Sequence, residues 1–142
     1  MMELMRPDDL KKISSDAEMA KAQEYIRRAR KQEEEQAGLR EAFMRRDVGP
    51  EAYERVNAAV RRAAEQGSQQ VQIITFPASY CNDGGRRINN SEPDWPDSLE
   101  GFAKKAYAFY EKELKPLGYR AHVEIIDYPG GMPGNVGMFL KW

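Results

Sequence analysis

The 142-residue sequence contains one cysteine, Cys81, and one histidine, His122, and this scarcity excludes more than any abundance in it. An intramolecular disulfide needs a second thiol, and a zinc site built on cysteines or paired histidines has no ligands to draw on. No metal and no cofactor are therefore expected. The chain also lacks a run of about 18 apolar residues and a basic start followed by a short apolar stretch. The expected compartment is the cytoplasm, with no membrane partner. Net charge is nearly absent too, since 22 Lys and Arg stand against 23 Asp and Glu. The basic excess that marks many nucleic-acid-binding domains is missing.

Resolved along the chain, that balance hides a contrast. Residues 1–67 carry 14 basic and 14 acidic side chains but only three aromatics, Tyr25, Phe43 and Tyr53. Residues 68–142 carry 8 basic, 9 acidic and 11 aromatic side chains, with 8 of the 11 glycines and 6 of the 8 prolines. The first part reads as a helical arm or hairpin and the second as a small α+β module.

In the first part, Ser15 and Glu18 have capping-box spacing, which predicts a helix start at Ser15. From there to about Arg46 only Gly38 interrupts a run of good helix formers. Glu24 with Arg28, Arg30 with Glu34, Lys31 with Glu35 and Glu41 with Arg45 lie four apart, and each pair is worth only about 0.2–0.5 kcal/mol. Packing must come from Met19, Ala22, Ile26 and Ala29, then from Leu39 and Phe43. No bulky apolar residue lies between Arg27 and Gly38, so the middle should be solvent-exposed, and a sustained coiled-coil seam is lacking. Gly49-Pro50 opens a shorter helix with Tyr53, Val56, Val60 and Ala63 on one stripe, and Gly67 supplies its stop.

The second part reads as β-α-β-β. Val71 to Phe76 forms a strand ended by Pro77, and an irregular segment then runs from Ala78 to Pro96. Asp97 and Glu100 repeat the capping signal before a helix whose stripe is Leu99, Phe102, Ala103, Ala106, Tyr110 and Leu114. Tyr119 to Tyr128 and Val136 to Trp142 alternate as strands around a wide glycine-rich hairpin turn, with Met132 at its tip. Tyr119, Ala121, Val123 and Ile125 face the helix with Val136, Met138 and Leu140. The reverse face receives Ile126, Tyr128 and Phe139, with Ile74 and Phe76 grouped there as well. The last strand is the most apolar and is expected between the other two, antiparallel to each.

Three sets of residues are candidates for function. Met19, Ile26, Leu39 and Phe43 are the apolar points of an otherwise polar helix, which suits a surface that engages a partner. Cys81, Asp83, Arg86, Arg87 and Trp95, in the 80–96 loop, join a thiol, a carboxylate and two guanidinium groups around Gly84-Gly85. They could bind an anion or, with His122 as base, activate a thiolate. A plain ordered loop is the competing reading, although 19 structureless residues are uncommon without a role. Arg27, Arg28, Arg30 and Lys31 raise nucleic-acid contact, but they spread over a wide helical arc and are followed by Glu33-Glu34-Glu35.

The leading expectation is a non-catalytic protein–protein interaction or assembly protein whose helical arm engages another protein or a second copy. The product would be a homodimer or a component of a larger particle, such as a phage-like virion or a regulatory complex. The alternatives are a small nucleic-acid-binding regulator using the arginine-bearing helices and a small-ligand or thiol-dependent enzyme centred on the 80–96 loop.

Overall fold

The computed structural model describes residues 3–142. Helix α1 spans Pro7–Arg45, with Asp8 and Asp9 in its first turn. It therefore starts before Ser15, which lies inside it. Pro7 suits the first helical position, the two aspartates favour the positive end of the helix, and nothing between them and Ser15 breaks the helix. No residue of α1 is buried. By internal contacts the chain divides into two compact units, Met1–Glu41 and Ala42–Trp142, so only the last turn of α1 belongs to the second.

The second unit holds helix α2, Ala52–Glu65, and a three-stranded antiparallel sheet of β1, Gln70–Pro77, β2, Arg120–Ile125, and β3, Asn135–Lys141. The strand order is β1-β3-β2. The most apolar strand is thus central, where its Val136, Met138 and Leu140 are fully buried. Residues 42–67, which composition grouped with the arm, fold with the sheet. Val56 and Val60 of α2 pack in one cluster with Val71, Ile73 and Leu140.

One residue changes the sheet's sidedness. β1 pairs Val71 with Leu140 and Gln72 with Phe139, then shifts register so that Ile74 meets Met138 and Phe76 meets Val136. The bulge inserts one residue and reverses the alternation. Ile74 and Phe76 consequently lie on the core side, not on the reverse face where simple alternation grouped them, and Phe76 is only 3% exposed.

The helix that covers the core starts later than its sequence signal. Asp97 falls within a 3₁₀ turn, Trp95–Ser98, and α4 runs from Gly101 to Phe109 before a π-helical turn over Tyr110–Leu114. Glu100 does not close a cap with Asp97, because its carboxylate accepts a hydrogen bond from Asn82 Nδ2 at 3.1 Å. Tyr110 and Leu114 are buried against Leu140, and the Tyr110 hydroxyl donates to the Tyr119 carbonyl at 3.0 Å.

The last turn of α1 enters this core through Phe43. Its ring centroid lies 4.9 Å from that of Tyr80, 5.4 Å from Phe76 and 6.0 Å from Phe102. Gly101 makes the approach possible. Its φ is +56°, and a Cβ there would lie 2.6 Å from the Met44 Cα, so both conformation and space require glycine. Beyond the turn, the Arg46 guanidinium lies 4.1 Å from the Phe102 ring centroid, and Lys105 Nζ meets Asp47 Oδ1 at 2.5 Å.

Phe43→Ala is expected to lower unfolding free energy by roughly 2–3 kcal/mol, less than for a fully buried ring. Urea unfolding followed by tryptophan fluorescence reads this directly. A cost below about 1 kcal/mol would mean that the ring only lies against the surface.

Candidate functional site

The 80–96 segment is an ordered structure with internal partners. A 3₁₀ turn over Ala78–Tyr80 is followed by a short helix, α3, Arg86–Asn89. Asp83 clamps the entry to α3: Oδ1 accepts from the Gly85 backbone N–H at 2.9 Å and Oδ2 from that of Arg87 at 3.0 Å. Gly85 has φ +87°, and a Cβ there would lie 2.9 Å from the Ala78 Cβ, so the loop closes tightly on the turn before it. Ile88 of α3 then enters the core beside Val123 and Leu99.

The two arginines face carboxylates. Arg87 Nε lies 3.4 Å from Asp94 Oδ2 and 3.9 Å from Asp83 Oδ2, and Arg86 Nη1 lies 3.4 Å from Glu92 Oε1. An anion at this loop would have to compete with three acidic groups. Trp95 packs edge-on against Tyr107, centroid to centroid 5.2 Å, and so belongs to the core edge. Asn82 donates through Nδ2 to the Asp97 carbonyl at 2.8 Å, which ties the two ends of the segment together. That anchor was not legible in the sequence, because its partners lie fifteen and more residues away.

Cys81 is 5% exposed and packs with Val123, Val136 and Met138. Burial pushes its thiol up to about 11, with Asp83 adding to the rise and a hydrogen bond with Ser98 opposing it. At neutral pH the sulfur is therefore a protonated, desolvated thiol, the opposite of an activated nucleophile. His122 does not supply the missing base. It alternates with core-facing Val123 on β2, so it lies on the reverse face, where Nε2 is 3.4 Å from Glu124 Oε2 and the ring is near Phe139. The structure does not bring Cys81 and His122 together, and no group of three or more candidate metal ligands occurs among the described residues.

On α1, Arg27 and Arg28 converge on one carboxylate. Arg27 donates to Glu24 through Nε at 3.0 Å and Nη2 at 2.7 Å, and Arg28 Nε donates at 3.0 Å. Those hydrogen bonds hold the Glu24 carboxyl below its ordinary value. Arg30 and Lys31 are exposed on the same helix. Two of the four basic side chains thus share one carboxylate. Met19, Ile26 and Leu39 are 60%, 55% and 61% exposed, whereas Phe43 is in the core of the second unit.

No known family model, curated protein or solved structure matches the chain. Among the described residues no helix is long and apolar enough to cross a membrane.

Two outcomes follow from the loop. Because the folded thiol value lies above the unfolded value near 9, the unfolded chain loses its proton first as pH rises. The Cys81 contribution to stability is then full below about pH 9 and lost towards pH 11, and denaturant midpoints of wild type and Cys81→Ala should show that difference in slope. Asp83→Ala should cost about 1–2 kcal/mol and open the 82–92 segment to limited proteolysis, as expected for the loss of a carboxylate that binds two helix-entry N–H groups.

Proposed function

We propose that this chain is a non-catalytic, cytoplasmic interaction or assembly protein in which the exposed face of α1 engages another protein or a second copy. The observation that carries the reading is the exposure of Met19, Ile26 and Leu39 on a 39-residue helix that buries no residue. A helix of that length extends about 58 Å at 1.5 Å per residue. Its ion pairs contribute a few tenths of a kcal/mol each, so packing has to supply most of its stability. A partner covering Met19 and Ile26, with the small Ala22 between them and Ala29 beyond, supplies that packing. Phe43 is no part of this surface, because its ring is already used inside the second unit. A second copy is the simplest partner, since most soluble oligomers close by symmetry.

The test uses the full chain. Sedimentation equilibrium across micromolar concentrations is expected to show a dimer, and Met19→Asp with Ile26→Asp should shift it to monomer while leaving the unfolding midpoint of the sheet-bearing unit within about 1 °C. A monomer at all concentrations points to a heterologous partner, which the same double variant must fail to bind in a pull-down from the native cell. A monomer whose residues 7–41 also resist protease when pure overturns the proposal, because such a helix needs no partner.

A further inference from the structure

We propose a second binding site: the sheet-bearing unit takes a small, uncharged single-ring or short-alkyl molecule into the cavity formed by the α1–α2 corner, α2, α4 and β1. The cavity has a volume of about 190 Å³. Its inner wall includes Val48, Ala52, Val56, Ile73, Ala106 and Phe109. Ala52 and Ala106 each contribute only a methyl group to this wall, which leaves the space. The β1 bulge lies at Ile73, between the two registers of β1.

Size and chemistry select the occupant. An apolar cavity of about 150 Å³ is already enough to hold benzene, and a buried water needs two to four polar partners. Here the inner wall is apolar, and no buried side-chain nitrogen or oxygen among the described residues is left without a partner. Water gains little against this wall, whereas a hydrocarbon ring seated on it exchanges water for apolar contact on its inner side.

The walls are also held in place before any ligand arrives. Phe109 is set edge-on by Tyr53 at 5.3 Å, and Phe102 is fixed by Phe43 and by the Arg46 guanidinium. Two bases and two acids surround the cavity, Arg46 and Arg55 with Asp47 and Glu51, and Asp47 is already paired with Lys105. All four of these side chains are exposed, so solvent screens them, and a charged guest moving onto the apolar wall would lose its hydration with no buried counter-charge to replace it. The preferred guest is therefore neutral.

The experiment adds toluene to the full-length protein, with benzoate and benzylammonium as charged counterparts. Toluene at ten times its dissociation constant should raise the thermal midpoint by about 5 °C, and the charged pair by less than about 1 °C. In methyl NMR spectra the toluene-induced shifts should centre on Val48, Val56, Ile73 and Ile74. Ala106→Leu, which fills the cavity, should abolish the response while retaining a folded spectrum. If that variant folds poorly, the wild-type methyl map decides alone. No toluene response, shifts centred elsewhere, an equal response to either ion, or a full response in folded Ala106→Leu each overturns the site.

Discussion

The ring of Phe43 meets Phe76 of β1, Tyr80 of the turn after it and Phe102 of α4, all with centroids within about 6 Å. Three segments distant in sequence are tied to the last turn of α1 by that one side chain. The arrangement depends on Gly101, where the Met44 backbone comes too close to tolerate a Cβ and φ is positive. Aromatic contacts of this kind add to the burial of their area. They also determine where the second compact unit begins, because the chain joins the core at residue 42 instead of at the glycine that ends α2.

From that junction the rest of the unit follows. With Phe43 and Phe102 seated, Arg46 stacks on the outer ring and Asp47 reaches Lys105, which fixes the corner leading into α2. α2 then lays Val56 and Val60 on the sheet. The bulge in β1 turns Val71, Ile74 and Phe76 towards the same core despite their mixed parity. The 80–96 segment closes the other end by inserting Ile88 and Cys81, and its charged groups are largely occupied in holding it there. A loop rich in chemical groups is thereby converted into a lid on the core. Asp83 holds the entry to α3 and Cys81 packs in the core, so both side chains have structural partners.

The two compact units differ in how their apolar side chains are used. In the second unit Phe76, Leu99, Met138 and Leu140 find partners within the chain, while Leu117, Ile126, Tyr128 and Met132 remain exposed. On α1 before residue 42, Met19, Ile26 and Leu39 face solvent. Charge shows the same division. Arg27 and Arg28 share the single carboxylate of Glu24, and the near-zero net charge of the arm is reached only over its whole length, with acids before residue 19 and at Glu33-Glu34-Glu35 offsetting the basic stretch between them.

Much of this was legible in the sequence because it depends on local pattern. The long polar helix, the shorter one, the three strands and the central place of the last strand follow from composition and from apolar periods of 3.6 and 2. The exposure of Met19, Ile26 and Leu39 followed from their sparse spacing. What the periodicity could not supply were the features created by contacts across many residues. The Ile73-Ile74 doublet interrupts the alternation of β1, but only its pairing with β3 shows the interruption to be a bulge, which puts Ile74 and Phe76 on the core face and not on the reverse face that strict alternation gives. Phe43 looked like another exposed apolar point until the rings that receive it, 33 to 59 residues away, were in place. The fate of Arg86 and Arg87 rested on Glu92, Asp94 and Asp83 turning back towards them, and Cys81 and His122 were separated by the sheet itself. Sequence by itself determined which elements form, since helix and strand propensities act over a few residues. Tertiary structure decided which side chains remain available, because availability depends on what the rest of the chain packs against them.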